Sequence, residues 1–465
     1  MTRDEVRAAG KRVAEWHQRF AALFGRKEPQ LHSLEYLKGL LSDQKRKSVE
    51  PIALQFTRGP NGAAATQKEV VALQGFLTFS PWEAGDVFGE IQAVFAEELL
   101  PTTTAWSLGT VGLIDESGFK KAGRKSVGVG RQWCGRLGKI ENCQVGVFLT
   151  GVTPGGVAAL DAQLFLPEDW AADRQRRKMA RVPKEIKFQT KPQIAVEMVR
   201  RTRAAGKVQF DWIVADSLYG ESGDFLDALE GMGQRYLVEV KKNTLVWTVD
   251  PATLSGKTPG PYRDHEVRSV EEIAADLPAK AWRPLSLREG SKGPLVFEFA
   301  VLRVWAMRHE KAGPPIWLVI RRSLDGKEVW YFVSNADEQT PWETLAMVSG
   351  TRFRVEEYFE DGKTHLGMAD YEARAWTSWH HHMALVSLAH LFVTLTKRDI
   401  KKDVPDLTLD MALRVLRSAF AKPTLSEQEA IDLIDYYRDR NKVAHDSHRN
   451  SWLEKNKRLA NKLLL

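Results

Sequence analysis

Apolar residues recur at three- and four-residue spacing from Val13 to Phe24 and again from Val87 to Leu99, the period of an amphipathic helix, so residues 1–103 read as a helical domain. Within it, Leu40 to Arg58 carries Lys45, Arg46, Lys47 and Arg58 and runs into Gly59-Pro60-Asn61-Gly62, a turn signal. A short basic helix and turn there would dock on DNA; a solvated charged face is the competing reading. From Thr110 the texture changes to short β-rich runs, Val111–Asp115, Cys143–Gly151 and Ala159–Phe165, separated by glycine and basic loops. A helical pattern follows over Pro192–Ala205, then a strand over Phe210–Asp216, a helix at Phe225–Leu229 and a strand at Tyr236–Val240. The order βββαβαβ over residues 104–242 predicts an α/β fold with an RNase H-like core. Residues 243–339 break into a Pro/Gly-rich stretch followed by strands such as Val296–Trp305, Ile316–Ile320 and Val329–Val333, which predicts a β-rich insertion domain. Helical periodicity returns from Trp342, with helices expected at Arg352–Met368 and Trp376–Leu395, so residues 340–397 read as the second part of the core and 398–465 as a helical C-terminal region.

With 465 residues and 43% hydrophobic side chains the chain can bury more than one core, which sets disorder aside. Lys and Arg number 67 against 60 Asp and Glu, a formal charge of +7 that favours a polyanionic partner. Cys134 and Cys143 are the only cysteines, too few for a disulfide framework and at no zinc-site spacing, which fits a reducing cytoplasm. No stretch approaches the roughly 20 apolar residues of a membrane span, and Met1–Lys11 lacks a signal-peptide core. The expectation is a soluble, unexported protein with no membrane partner.

Asp115 follows the apolar run Val111-Gly112-Leu113-Ile114 and Asp216 follows Trp212-Ile213-Val214-Ala215, so each carboxylate is expected where a strand stops. One such Asp is usually a turn or cap residue; a third acid is needed to make a site. In Thr351–Lys363, Arg352 and Glu356 are four apart and Glu356 and Lys363 seven apart, which at about 100° per residue puts all three on one helix face. An acid between two bases suits a metal ligand beside phosphate. Glu357 lies off that face, but Glu360 lies one turn along it, and geometry alone leaves Glu360 open.

The spacing Arg-x3-Glu-x6-Lys resembles the signature of insertion-sequence DDE transposases of the four-like superfamily, whose fuller form begins Tyr-x2-Arg. The strings IDESGFKKAG, WIVADSLYG, RVEEYFEDGK, LGMADYEARAW and WHHHMALVSLAH are most similar to insertion sequence family 701, and the likeness runs from about Leu40 to Leu395. It departs at Ser349, where the family has tyrosine. The resemblance implies that Asp115, Asp216 and Glu356 are catalytic and bind two Mg2+ ions, with Mn2+ able to substitute, and its register favours Glu356 over Glu360. It implies that Arg352 and Lys363 hold the DNA backbone. It further implies a bacterial, nucleoid-associated enzyme that acts as a homodimer on double-stranded DNA, the terminal inverted repeats and the target, by cut-and-paste cleavage and joining. A nuclease without strand transfer and a domesticated DNA-binding protein are the alternatives; an intact set of three acids argues against the latter.

Ser117 to Ile140 holds Lys120, Lys121, Arg124, Lys125, Arg131, Arg136 and Lys139 without an acid, a run suited to tracking phosphates, and Arg174, Arg176, Arg177, Lys178 and Arg181 form a second cluster. In related transposases a β-rich insertion sets an aromatic against an unstacked base, which leaves Trp282, Trp305, Trp317 and Trp330 open as candidates, with core packing the default for most of them. His380, His381 and His382 point about 100° apart on a helix and cannot chelate one ion, so surface and packing roles are expected. Gly128-Val129-Gly130 lacks the setting of a dinucleotide site, and neither a P-loop nor a Gly-x-Ser-x-Gly elbow occurs.

Overall fold

Val111 to Lys120 is the strand on which the rest of the architecture is hung, because it alone among its neighbours is paired in parallel on one edge and antiparallel on the other. The computed structural model describes residues 3–59, 65–100, 107–254, 266–290, 293–401, 408–419 and 427–455. They fall into two compact units, one drawn from Met1–Pro81, Asp370–Glu372 and Arg414–Leu465, the other from Trp82–Ala369 and Ala373–Leu413.

The first unit opens with helices α1 (Arg3–Ala21), α2 (Lys27–Leu41), α3 (Val49–Phe56) and α4 (Gln67–Phe79). Their apolar stripes, including Val13, Phe20, Leu37, Leu40, Ile52, Leu73 and Phe76, form its core. Thr66 and Glu69 start α4 with a reciprocal capping box. Lys47, expected on a DNA-facing or solvated surface, is buried instead: its ammonium donates to the carbonyls of Leu40 and Ser42, satisfying backbone groups where α2 ends. Arg46 pairs with Glu372 and Arg58 donates to the carbonyls of Gln55 and Thr57, so three of the four basic residues in this segment have internal work. Pro60 to Gly62 lie outside the described residues.

The second unit contains one mixed α/β sheet. In chain order come α5 (Ala84–Val94), β1 (Val111–Lys120), β2 (Gly130–Cys134), β3 (Lys139–Thr153) and β4 (Gly156–Leu164). The short helices α6 (Glu168–Ala172) and α7 (Arg174–Met179) lead to α8 (Lys191–Ala204), β5 (Trp212–Ala215), α9 (Ser217–Gly220), α10 (Gly223–Gly231) and β6 (Tyr236–Val240). Then follow β7 (Leu245–Trp247), β8 (Val267–Ser269), α11 (Val270–Ala275), β9 (Arg283–Gly290), β10 (Gly293–Arg308), β11 (Lys311–Arg322) and β12 (Val329–Ser334). The unit closes with α12 (Trp342–Ser349), α13 (Phe353–His365) and α14 (Trp376–Lys401), after which α15 (Leu409–Ala419) and α16 (Glu427–Lys455) complete the described chain. The strands run in the order β2-β3-β1-β5-β6-β12-β11-β10-β7-β8, with β4 also on β3 and β9 also on β10.

The leading segment of the first unit runs to Pro81, and α5 packs with the sheet, where Gln92 donates to the Leu160 carbonyl and Val87, Ile91 and Val94 are fully buried. Strand β12 pairs antiparallel with β6, Phe332 opposite Glu239 and Ser334 opposite Leu237, so strands from residues 243–339 prolong the same sheet. One expectation needs correction: Asp115 does not end its strand, since β1 continues to Lys120 along β3. Among the described residues no helix is long and apolar enough to cross a membrane.

Close packing behind α9 gives a test of this arrangement. A Cβ on Gly220 would sit 1.9 Å from the Glu239 carbonyl oxygen, so α9 can lie against β6 only with glycine there. Gly220→Ala is expected to lower stability by about 1–3 kcal/mol, the usual range for overpacking, measured by urea unfolding; an unchanged midpoint would contradict the close α9–β6 contact.

Candidate metal and nucleic-acid site

The parallel ladder between β1 and β5 stops at the pair Ile114 and Ala215, so the next residues on each strand, Asp115 and Asp216, emerge side by side. This is the carboxyl end of parallel strands, where α/β sheets commonly build ligand sites. β5 ends there because Asp216 accepts from the Leu218 amide at 3.0 Å and turns the chain into α9. Glu116 joins them: one carboxylate oxygen from each of Asp115, Glu116 and Asp216 lies within 4.8 Å of the others. Glu116 is held from behind by the Lys191 ammonium at 2.7 Å and the Tyr219 hydroxyl at 3.2 Å.

Helix α13 brings the remaining candidates. Arg352 is its N-cap residue, and its guanidinium reaches Asp115 at 3.6 Å, Glu239 on β6 at 3.7 Å and Glu356 at 3.4 Å. Glu356, with 60% of its side chain exposed, therefore stands across Arg352 from Asp115 and outside the tight carboxylate group. Lys363, two turns along, donates to the Gly118 carbonyl at 3.2 Å and lies over the rings of Phe119 and Phe359. A cavity of about 550 Å³ is walled by Asp115, Glu116, Asp216, Arg352, Glu356, Glu360 and Lys363, with Trp133 and Gly135 of the β2–β3 hairpin on its rim. Ser349 is buried, its hydroxyl donating to the Ala346 carbonyl and its own carbonyl accepting from Arg321.

The basic residues expected to track DNA sit on and beside the hairpin and do not wall the cavity. Arg124, Lys125 and Arg131 are exposed, Lys120 pairs with Glu141 at 3.3 Å, and the Lys121 carbonyl accepts from Asn142. The Arg136 side chain lies outside the described residues. In the second cluster Arg176 stacks on Trp170 and pairs with Asp169, while Arg177 donates to the Pro183 carbonyl. The tryptophans between residues 243 and 339 are half-buried, with guanidinium groups over Trp282, Trp317 and Trp330, and Trp305 opposite Trp247 in the ladder. Trp133, which the sequence did not single out, is the one exposed tryptophan among the described residues. His380, His381 and His382 occupy separate settings: His380 half-buried on the Trp376 carbonyl, His381 buried and stacked on Trp82, and His382 fully enclosed, so packing accounts for them.

Burial pushes the Asp115 carboxyl up to about 7, with Arg352 opposing and Asp216 and Glu116 reinforcing the rise. Burial, then repulsion from Glu116, pushes Asp216 up to about 6. Two acids so placed resist carrying full charge together near neutrality. A donor set made only of carboxylate oxygens suits a hard divalent cation, and such an ion would relieve the repulsion. The sign for stability follows from linkage. Between the unfolded value near 4 and the raised folded values the folded protein holds more protons, so stability falls as pH rises through that window. Without divalent metal, Asp115→Asn is therefore expected to raise Tm at pH 8 by about 2 °C or more, with little gain at pH 5, and to remove stabilisation by an added divalent cation. A loss of Tm in Asp115→Asn at pH 8 would contradict the electrostatic account of the site.

Comparison with known proteins bears on the same residues. The chain is 26% identical over 370 residues to a probable transposase for insertion sequence element IS701 from Microchaete diplosiphon, an alignment covering 78% of this chain and 81% of the relative. Among solved structures, the NurA nuclease from Sulfolobus solfataricus aligns over 70% of this chain and 94% of its own at 14% identity, but with a TM-score of 0.24 that likeness assigns no fold. The family model for DDE superfamily endonucleases matches residues 19–294, which include Asp115, Glu116 and Asp216, and the chain belongs to that family.

Proposed function

We propose that this protein is a transposase: it binds the terminal inverted repeats of an insertion sequence, cleaves the DNA ends and joins them to target DNA by cut-and-paste. The observation that carries the reading is the adjacency of Asp115 and Asp216 at the end of the β1–β5 ladder, in one cavity with Glu356, Arg352 and Lys363. The order β4-β3-β1-β5-β6, with the first three strands antiparallel and the last three parallel, supports an RNase H-like core. Two Mg2+ ions, for which Mn2+ could substitute, held by Asp115, Asp216 and Glu356, would supply activation of the attacking oxygen and stabilisation of the leaving oxygen.

The chain's own residues have separable tasks in this scheme. Arg352 exchanges carboxylate partners for a phosphate beside the scissile bond, and its planar fork fixes the direction of approach. Lys363 holds the same strand about three turns further along the same helix face. The exposed Arg124, Lys125 and Arg131, with Lys120 and Lys121 at the base of the hairpin, supply the salt-sensitive part of binding along the flanking duplex. The helical N-terminal unit recognises the repeat, and a homodimer brings two ends together for joining.

The test is incubation of the protein, Mg2+ and a labelled duplex carrying the repeat that flanks the coding region, reading nicked ends and joined products. Nicking without joining would favour a nuclease over a transposase. Asp115→Ala, Asp216→Ala and Glu356→Ala should each abolish cleavage while leaving end binding within a few-fold; cleavage by Glu356→Ala but not by Glu360→Ala would move the third acid to Glu360. Arg352→Ala and Lys363→Ala should slow cleavage by about ten- to a hundredfold, the loss of one hydrogen bond to a charged phosphate. Their Mg2+ requirement should stay near wild type, and full activity restored by excess Mg2+ would sink the phosphate assignment.

A further inference from the structure

Arg352 has three carboxylate partners, and they are not equivalent. Asp115 and Glu356 are metal ligands on the reading proposed above, on which this inference rests. Once they are committed to a metal, one partner is left for the guanidinium. We infer that Glu239 is the positioning residue of Arg352, holding its guanidinium in the metal-loaded site so that the remaining N–H groups face phosphate.

Glu239 is suited to that task by where it stands. It lies on β6, two strands from Asp115, and it is not part of the Asp115, Glu116 and Asp216 group. Its backbone is pinned twice: Phe332 is its partner on β12, and Gly220 of α9 rests against its carbonyl. The carboxylate contacts Arg352 Nη1, which also meets Glu356, at 3.7 Å, while Nη2 faces Asp115. Arg352 Nε is buried and has no hydrogen-bond partner among the described residues, an unmet donor on the same rigid fork. Arg321 is the other cation whose charge acts with Glu239, and it is already held by the Ser349 carbonyl and the faces of Phe297, Trp330 and Phe332. Glu239 also repels Asp216, and Arg352 attracts both, so the guanidinium offsets that repulsion at the edge of the acid site. A planar cation fixed at one end by a carboxylate outside the metal set loses little freedom when phosphate arrives, which is the gain from preorganisation.

The experiment is a double-mutant cycle on the full chain, measuring the single-turnover cleavage rate and Kd for the labelled end duplex, with Mn2+ binding followed by electron paramagnetic resonance. Glu239→Gln should slow cleavage about ten- to a hundredfold, with duplex Kd within a few-fold and Mn2+ affinity unchanged; Glu239→Asp should recover part of the rate. In the Arg352→Ala background, Glu239→Gln should cost nothing further. Additive losses, a matching fall in Mn2+ affinity, or a wild-type rate in Glu239→Gln would each overturn the assignment. A wild-type protein that leaves the duplex uncut would sink the transposase reading itself, and an Arg352→Ala variant that cuts normally would sink the phosphate role of Arg352, both separable from the failure of Glu239.

Discussion

Two carboxylates forced together where a parallel ladder ends create the tension that organises this molecule. Asp115 and Asp216 cannot separate, because Ile114 and Ala215 are locked in register one residue earlier. They cannot be well solvated, because β1 continues past Asp115 along β3 and the Asp115 side chain stays almost entirely covered. Charge must come to them, and the chain provides it from two directions, with Arg352 against Asp115 and Lys191 against Glu116. Burial, with repulsion among the three acids, still pushes both aspartate carboxyls well above the ordinary carboxylate range. Divalent metal chemistry is the natural use of such a place.

The strands that extend the sheet beyond β6 acquire a purpose in this light. Arg288 of β9 stacks 3.6 Å from the Phe353 ring and pairs with Glu357, both at the start of α13. Arg321 of β11 grips the Ser349 carbonyl just before that helix. A Cβ on Gly350 would press into Leu287, so the turn between α12 and α13 is seated closely against β9. Residues 243–339 thus act on the helix that carries Arg352, Glu356 and Lys363, through strands that continue the sheet. Tryptophans beneath arginine side chains are part of the same packing, with cation–π contacts adding to their burial.

Much of this was legible in the chain because strong local patterns agree with the tertiary structure. The apolar runs before Asp115 and Asp216 are strands, and the Arg-x3-Glu-x6-Lys spacing does lie along one helix that lines the cavity. What sequence could not give depends on neighbours far along the chain. A period-two strand puts Glu116 on the face opposite Asp115, yet both reach Asp216, because β5 ends and the sheet opens beside them. Glu239 looks like any polar residue in an apolar strand until β11 and the start of α13 bring arginines to it. Lys47 reads as surface charge, and only the carbonyls at the end of α2 explain its burial. That α5 packs with the sheet was invisible because it has the same helical period as the helices before it.

The central claim is that Asp115 and Asp216 form the seat of a divalent metal. Anomalous diffraction from crystals of the protein soaked in Mn2+ measures it directly, because the metal's position is read without reference to activity. The account predicts a strong anomalous peak within coordination distance of both aspartates, lost in crystals of Asp216→Asn. A peak elsewhere with none between these two residues, or a peak that survives the substitution unchanged, would contradict it.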